Sequence, residues 1–412
     1  MNMNIKLIKE SSLHNWNKDI KLSKLINIFH NKEEIRFVGG CIRDVMLGYE
    51  LRDIDFAINC NPQTTINILT ENRIKYHDYG HEHGSITAII DDHKFEITSL
   101  RKDIQTYGRY AKVEYTDSWE DDSIRRDFTM NAIYLSIDGN IYDYHNGIEH
   151  IHKNQISFIG EIENRIKEDY LRILRYIRFF LSYSKKDHNY KIKKIIKKNI
   201  DGVIQISSDR LLNELKKLFN SNAFFLLPKD KFCLEIINLI FPQLKNINIL
   251  KNLNKLKKEI IKSNDFIFLI SLMTIDETDN SEYFLYKFNI SNEDKKRIRF
   301  LKNIFFKPID KNIFSEKNLW KILYFNNNKL LNDLLNFEIF RSKREDKKLI
   351  KLKEFFSKQL PPKFNIKAKS LMEKFNLKEG RELGYKLKQI ESAWIDNSFQ
   401  ISDNQIEKII KG

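Results

Sequence analysis

The sequence predicts an α+β fold, with an N-terminal α/β head followed by an all-α neck, body and tail. Short β-prone runs alternate with turns and a few helices from about residue 35 to 145. After residues 154–160, helical periodicity takes over and strand signals nearly vanish. At 412 residues the chain exceeds what one hydrophobic core usually supports, so we expect more than one domain.

The head is predicted to begin with a lead-in helix at residues 20–31. A series of β-prone runs follows, at residues 37–38, 54–58, 85–90, 95–100 and 132–137. Residues 101–124 contain an acidic run and are predicted to form a mobile loop between strands. This alternation of strands, turns and helices is typical of an α/β domain.

Helices are predicted for the rest of the chain. Residues 161–220 have the pattern of a connecting helical module. From residue 221 onward, amphipathic helices are separated by Asn-rich turns and prolines. We therefore predict a head at residues 1–150, a neck at 151–220, and a body and tail at 221–412.

Composition favours a basic cytoplasmic protein without a membrane segment. The net charge of +15 suits a polyanionic partner, although lysines that only solvate the surface would explain it equally well. Cys41, Cys60 and Cys233 are far apart and fit neither a disulfide framework nor a zinc spacing. The N-terminus has no apolar core like that of a signal peptide. The longest apolar stretch, at residues 266–273, is too short to cross a bilayer.

The most informative segment is residues 36–55. A short apolar strand is followed by Gly39 and Gly40, and a helix is predicted to open at Arg43. A glycine turn at a helix N-terminus presents backbone N–H groups that can bind phosphate.

Two carboxylates, Asp53 and Asp55, follow on what is predicted to be the next strand. Side chains alternate faces along a strand, so residues at i and i+2 point the same way. Such a pair can hold a divalent metal ion against a triphosphate. Alone, the pair would indicate only a polar edge strand. Together with the glycines and Arg43 at this spacing, it favours phosphate chemistry.

Four ordered blocks resemble the signature of class II tRNA nucleotidyltransferases and bacterial poly(A) polymerases. The first block is the segment just described, and the second is Arg-Arg-Asp-Phe-Thr-Met-Asn-Ala at residues 125–132. The third and fourth lie at residues 168–179 and 208–215, and together the blocks cover about residues 35–220. The resemblance implies a polymerase-β-like nucleotidyltransferase head. It also implies addition of CCA to the 3′ end of tRNA from CTP and ATP, with Mg²⁺ as cofactor.

Nucleotidyl transfer of this kind uses two metal ions about 4 Å apart, held by carboxylates. Asp53 and Asp55 fit the role of metal ligands, and Glu96 on a later strand could be a third catalytic carboxylate. An exposed Glu on an alternating strand would have the same pattern, so both interpretations of Glu96 stay open. Arg43 and the N–H groups after Gly39 and Gly40 would hold the triphosphate.

Two further charged residues flank these groups. Asp44 is predicted to cap the helix or to orient Arg43 rather than to touch substrate. The resemblance implies that Arg126 contacts the nucleotide. Asp127, the next residue, is expected to hold the neighbouring loop or a ribose hydroxyl.

The third block predicts how the base is chosen. Its charged residues recur at i+3 on a predicted helix and are Asp169, Arg172, Arg175 and Arg178. Cytosine and adenine both offer an amine donor beside a ring-nitrogen acceptor. A carboxylate paired with a guanidinium complements that edge, whereas guanine and uracil present the reverse order. We therefore predict that Asp169 and Arg172 select CTP and ATP, the task assigned to the corresponding residues of the resembled family. The alternative is a salt-bridged helix face.

Three other functions remain possible on the sequence. A poly(A) polymerase of the same family would carry a basic Gly-Arg-Arg-Phe-like stretch where this chain has residues 79–87. A partial enzyme would add only CC or only A, but the resemblance associates a full-length loop at residues 101–124 with complete CCA addition. A non-catalytic RNA-binding protein would have no chemical need for both Asp53 and Asp55.

Overall fold

A computed structural model gives the structure of the chain at residues 8, 10–11, 13–30, 32–51, 53–80, 84–107, 110–306, 313–342 and 344–412. The side chains of residues 104–107 and 110–112 are outside this description. The chain divides into two compact units, Met1–Pro242 and Gln243–Gly412. The predicted boundaries at residues 150 and 220 fall inside the first unit and remain a prediction. No helix in the described ranges is long and apolar enough to cross a membrane.

The head is built on a mixed sheet, and the α+β prediction is confirmed. The strands are β1 (Ile35–Val38), β2 (Asp55–Ile58), β3 (Lys75–Gly80), β4 (Ser85–Ile90), β5 (His93–Ser99), β6 (Arg101–Tyr107), β7 (Tyr110–Tyr115), β8 (Ile133–Ser136) and β9 (Ile141–Asp143). Seven of these form one sheet in the order β3-β4-β5-β2-β1-β8-β9, and β6 pairs with β7 separately. Within the large sheet β2 and β5 are parallel, and the other neighbours are antiparallel.

Helices surround this sheet and continue to the end of the first unit. They are α1 (Ile20–Phe29), α2 (Gly40–Met46), α3 (Pro62–Glu71), α4 (Trp119–Ile124), α5 (Gly147–His152), α6 (Ile162–Glu168), α7 (Leu171–Tyr183), α8 (Tyr190–Lys198), α9 (Ser208–Phe219) and α10 (Lys231–Ile240). Short 3-10 helices lie at Trp16–Lys18, Thr129–Asn131, Ile200–Gln205, Asn222–Phe225 and Leu227–Lys229. The lead-in helix predicted at residues 20–31 is confirmed as α1.

The second unit is helical throughout its described part. After a 3-10 helix at Lys245–Asn252 come α11 (Lys255–Ser263), α12 (Phe266–Thr274), α13 (Asn280–Lys287), α14 (Asn292–Phe306), α15 (Glu316–Phe325), α16 (Asn328–Arg341), α17 (Lys347–Phe356), α18 (Ala368–Phe375), α19 (Arg381–Asp396) and α20 (Asp403–Lys411). The apolar stretch at residues 266–273 is therefore a buried core helix, α12.

The prediction of a loop at residues 101–124 is wrong. These residues form the β6–β7 hairpin and the short helix α4. Two paired strands satisfy backbone N–H and C=O groups that a long loop would leave to water. Residues 108–109 of this segment and residues 81–83 of the stretch at 79–87 lie outside the described residues.

The core of the head fixes the strand that leads to the glycines. All four residues of β1 are buried between β2 and β8. The rings of Phe37 on β1 and Phe56 on β2 lie 4.8 Å apart, centroid to centroid. Because β1 pairs with a strand on each side, the turn that follows it and the start of β2 are held at the same end of these two central strands.

Candidate active site

Three carboxylates gather where β2 begins. The parallel pairing of β2 with β5 places Asp55 directly opposite Glu96, and Asp53 lies two residues before Asp55. Asp55 is half-buried, whereas Asp53 and Glu96 are exposed. The prediction that both aspartates sit within one strand is corrected, because β2 starts at Asp55 and Asp53 precedes it.

The electrostatics of Asp55 reflect this crowding. Burial, and then the negative charge of Glu96, raise the pKa of Asp55 to about 6, with a further contribution from Asp53. The positive charges of Arg126 and Arg43 act in the opposite direction without cancelling these effects. Like charges held together in this way are stabilised by a bound cation, so the donor set fits a divalent metal ion.

The turn after β1 requires glycine. Gly39 has a φ of +74°, and a Cβ there would lie 3.4 Å from the Asn131 carbonyl oxygen and 3.5 Å from Nη1 of Arg126. These are ordinary contact distances, so it is the positive φ that requires glycine, which adopts this conformation readily. Helix α2 then begins at Gly40, three residues before the predicted start at Arg43.

Arg43 is held in place by the side-chain oxygens of Asp44 and Asn131. Its Nε and Nη2 atoms donate to Oδ1 of Asp44 at 2.9 and 2.8 Å, and Nη1 donates to Oδ1 of Asn131 at 2.6 Å. The guanidinium also lies 4.7 Å from the centre of the Tyr183 ring. Of the two roles predicted for Asp44, helix cap or orientation of Arg43, the structure shows the contact to Arg43; that Asp44 does not touch substrate stays a prediction.

Arg126 is positioned by Asp122, a residue for which the sequence predicted no role. Nε and Nη2 of Arg126 donate to Oδ2 of Asp122 at 3.2 and 3.0 Å, and the Tyr134 hydroxyl donates to the same oxygen at 2.7 Å. Burial opposes the charge of Asp122, but Arg126 and then Arg125 hold its pKa well below the usual range. The i, i+3 and i, i+4 spacing to Arg125 and Arg126 is the signal that would have identified Asp122.

Asp127 links the head to helix α7. Its Oδ1 accepts hydrogen bonds from Nδ2 of Asn131 at 3.0 Å and from the Phe128 N–H at 2.8 Å. Its Oδ2 accepts from Nε of Arg175 at 2.7 Å. Burial favours the neutral acid, but the Arg175 charge and these hydrogen bonds together lower the pKa of Asp127 to about 2. A continuous path of hydrogen bonds therefore joins Arg43, Asn131, Asp127 and Arg175.

The predicted base-selecting helix is interrupted at Asp169. Helix α6 ends at Glu168, Asp169 is extended with φ −154° and ψ 102°, and α7 starts at Leu171. A single helix across residues 168–178 was therefore a wrong prediction. Gly202 accounts for part of the change, because a Cβ there would lie 2.0 Å from the ring of Tyr170. Close packing of Tyr170 on this glycine fixes the chain at the break.

Asp169 and Arg172 have separate partners in this structure. Asp169 accepts from Nη2 of Arg210 at 2.7 Å and from the Leu171 N–H at 3.1 Å. Buried Arg172 donates through Nη1 to Oε2 of Glu168 at 2.7 Å and to the Arg165 carbonyl at 2.6 Å. The direct Asp169–Arg172 side-chain pair expected from the i, i+3 spacing is thus replaced by two other pairs.

Arg178 also has an acid partner, Glu214, whose side chain is only 4% exposed. Helix α9 supplies both Glu214 and the Arg210 that binds Asp169. The fourth sequence block is therefore the part of the neck that holds the third block in place.

Comparison with known proteins finds similarity to the poly A polymerase head domain and to CCA-adding enzymes. Residues 35–157 match the family described as the poly A polymerase head domain. The chain is 40% identical over 205 residues to the mitochondrial CCA tRNA nucleotidyltransferase 1 of Homo sapiens, covering 49% of this chain and 47% of that one. The chain thus spans about half the length of that relative. It is 28% identical to the CCA-adding enzyme of Streptococcus uberis over 398 residues, with 92% of each chain covered.

Solved structures share the fold. The CCA-adding enzyme of Bacillus stearothermophilus, solved in complex with CTP, superposes with a TM-score of 0.68 at 19% identity, covering 95% of this chain and 98% of that one. The CCA-adding enzyme of Thermotoga maritima, complexed with tRNA, gives 0.60 at 18% identity, covering 100% and 98%. At these identities the likeness establishes the architecture.

Proposed function

We propose that this chain is a class II tRNA nucleotidyltransferase that adds C and A to the 3′ end of tRNA from CTP and ATP. The observation that carries the proposal is the placement of Asp55 against Glu96 and Asp53, with Arg126 and Arg43 acting on the same carboxylate. In the head of a nucleotidyltransferase, such a site suits transfer of a nucleotide to a hydroxyl. The names of the relatives supply the substrate class.

Asp53 and Asp55 would hold the divalent metal that nucleotidyltransferases use, and Glu96, the strand partner of Asp55, would support it. We propose Mg²⁺, because the available ligands are carboxylate oxygens, which hard cations prefer. When bound, the metal would lower the pKa of the attacking hydroxyl and neutralise charge on the leaving pyrophosphate.

The residues of the chain itself would position the triphosphate. Hydrogen bonds to Asp44 and Asn131 fix the orientation of the Arg43 guanidinium, and hydrogen bonds to Asp122 fix that of Arg126. Both guanidinium groups therefore enter the reaction with little freedom left to lose. Gly39 keeps the turn beside Arg126 free of a side chain. The expected reaction forms a bond from the tRNA 3′ oxygen to the α-phosphorus and releases pyrophosphate.

The base would be selected by an exchange of partners at the break between α6 and α7. In the structure described here, Asp169 is bound to Arg210 and Arg172 to Glu168. A cytosine or adenine edge would take over hydrogen bonds of Asp169 and Arg172, because one only accepts and the other only donates. Arg175 and Arg178, bound to Asp127 and Glu214, would keep the helix in register with the head.

The tRNA itself would bind mainly to the basic helical region, residues 221–412. The net charge of +15 supports a polyanionic partner, and phosphate contacts release counterions on binding. Truncation after residue 220 should then weaken tRNA affinity far more than nucleotide affinity. Unchanged tRNA affinity in the truncated protein would contradict this assignment.

We further propose that the protein works in the cytoplasm, where cysteines stay reduced. Cys41, Cys60 and Cys233 are free thiols in the structure. Fluorescent tagging in the source cells tests this proposal, and an organellar signal would refute it.

Product sequencing tests the proposed function. The purified chain is incubated with tRNA lacking its 3′ CCA, using each nucleotide alone and then CTP with ATP. Addition of two C residues from CTP alone, and of CCA from the mixture, is expected. Long A tails from ATP alone would instead identify a poly(A) polymerase, and binding without incorporation would identify an RNA-binding protein. The Asp55→Asn variant controls for contaminating enzymes.

A further inference from the structure

A cluster of metal-binding side chains lies outside the residues proposed for nucleotidyl transfer. It consists of His188, in the loop between α7 and α8, with Asp230 and Cys233 at the start of α10. In the described part of the chain, this is the one trio of His, Cys, Asp or Glu whose ligand atoms all lie within 4.8 Å of one another. The spacing rules for cysteines missed it because only one of the ligands is a cysteine.

The distances within the cluster match those of a tetrahedral zinc site. Nε2 of His188 lies 3.0 Å from Oδ2 and 3.1 Å from Oδ1 of Asp230, and 3.6 Å from Sγ of Cys233. Zinc bond lengths with tetrahedral angles place a ligand nitrogen about 3.5 Å from a sulfur and about 3.3 Å from an oxygen. The nitrogen–oxygen and nitrogen–sulfur distances are thus close to those around one zinc ion, and all three ligand atoms lie within 4.8 Å of one another.

Hydrogen bonding alone uses this arrangement poorly. Nε2 of His188 carries at most one proton, yet it faces two carboxylate oxygens and a sulfur at close range. A metal ion would engage the nitrogen, one oxygen and the sulfur simultaneously.

The surroundings hold the imidazole in the orientation that a ligand needs. Nδ1 of His188 lies 3.0 Å from the Tyr176 hydroxyl, which can fix the tautomer that leaves the Nε2 lone pair free. The ring stacks on Phe180 with centroids 3.5 Å apart and meets the edge of Phe232. Oδ1 of Asp230 accepts the Cys233 N–H at 2.8 Å, which leaves Oδ2 facing the histidine.

We propose that His188, Asp230 and Cys233 bind a zinc ion, with water as the fourth ligand. One nitrogen, one oxygen and one thiolate suit zinc, whereas magnesium and calcium require oxygen ligands. Cys233 is fully buried, but the Asp230 side chain is 24% exposed, which leaves an opening for water.

The ion would cross-link two segments of the chain. It joins the loop after α7 to the start of α10, and Tyr176 and Phe180, which hold His188, belong to the same helix as Arg172 and Arg175. Bound zinc would therefore brace the C-terminal half of the helix on which base selection is proposed.

Metal analysis of the full-length protein tests the proposal. The protein is loaded with zinc in excess magnesium, which occupies the carboxylate site at Asp53 and Asp55, and is then desalted. We compare the wild type with Cys233→Ser and Asp230→Asn, which preserve size and the helix cap. Cys60→Ser is the matched control, because Cys60 takes no part in the cluster. One zinc ion per chain is expected in the wild type and in the control, with at least tenfold weaker zinc affinity in the other two variants.

Cobalt substitution supplies a second measurement that depends on the sulfur. The wild type and Cys60→Ser should show a thiolate-to-cobalt charge-transfer band, and Cys233→Ser should lack it. Zinc should also raise the unfolding temperature of the wild type without changing that of Cys233→Ser. A wild type that neither retains zinc nor shows the cobalt band would overturn the proposal and leave the cluster as a hydrogen-bonded helix cap. Equal zinc affinity in Cys233→Ser would overturn it too.

Discussion

The start of β2 and the break before α7 handle charge in opposite ways. At β2, Asp55 is placed against Glu96 and close to Asp53, so like charges are held together. At the break, Asp169 is bound to Arg210 and Arg172 to Glu168, so every one of these charges has a counterion. On the proposed function, the first site would take up a cation from solution, while the second would exchange existing partners for a base.

This difference predicts two kinds of mutational effect. Removing Asp53 or Asp55 should abolish the chemistry, because both are proposed as metal ligands and the remaining carboxylates would hold the ion too weakly for transfer. Removing a charge at the break should change the choice of base, since binding there is an exchange between alternatives.

The largest effect is expected for Asp55. Replacing it with Asn or Ala should lower nucleotide incorporation by roughly 10⁴-fold, a loss typical of residues central to catalysis. Binding of tRNA should stay nearly unchanged, as a filter-binding assay would measure. Asp78→Asn, an exposed carboxylate on β3, is the matched control and should keep full activity. Substantial turnover of the Asp55 variants in magnesium would show that Asp55 is not a metal ligand required for transfer.

Arg172→Ala should erode discrimination against UTP and GTP by roughly 10- to 100-fold. A lost bidentate base contact is worth about 1–3 kcal/mol. Incorporation ratios from mixed nucleotides give the measurement. Arg178→Ala is the control on the same helix: it leaves buried Glu214 without its cation and should lower stability while keeping base choice. Wild-type selectivity in Arg172→Ala would mean that residues 169–178 form only a salt-bridged helix face and do not select the base.

The pH dependence should follow Asp55. Its pKa is raised from 3.8 to about 6, so in the metal-free protein this carboxyl is protonated below about pH 6 and must lose its proton to bind metal. Apparent metal affinity should thus be constant above that pH and fall about tenfold per unit below it. Metal titrations of activity at several pH values provide the test. Glu96→Gln should move the midpoint to lower pH, and an unmoved midpoint would show that Glu96 has no influence on the site.

The smallest effect is expected for Arg210→Ala. Releasing Asp169 from Arg210 removes a competitor for the base. The two side chains are 20% and 19% exposed, and partly exposed ion pairs are worth about 1 kcal/mol. CTP should bind up to about fivefold more tightly with selectivity unchanged, as isothermal calorimetry would record. Weaker binding would mean that Arg210 positions Asp169 for the base.

Local motifs predicted the arrangement at the start of β2 better than that at the break before α7. The glycines, Arg43 and the aspartates are adjacent in sequence, so their chemistry could be inferred directly. The role of Glu96 could not be decided, because its position opposite Asp55 depends on parallel pairing between two strands about 40 residues apart.

The neck depends on contacts that sequence spacing does not reveal. Helical periodicity continues through residues 168–178, but packing of Tyr170 on Gly202 and the Asp169–Arg210 pair override it. Asp122 was overlooked because its segment was taken for a loop, although its spacing to Arg125 and Arg126 was visible. In the third case, His188 lies more than 40 positions before Asp230 and Cys233, so sequence spacing does not bring the cluster together.

The most direct test compares Asp55→Asn with Arg172→Ala in two assays, nucleotide binding and nucleotide incorporation. We predict that Asp55→Asn still binds CTP in preference to UTP but incorporates neither. Arg172→Ala should incorporate nucleotides with diminished preference. If both variants lose incorporation and preference together, metal binding and base selection are not separate functions of these two regions, and the account is contradicted.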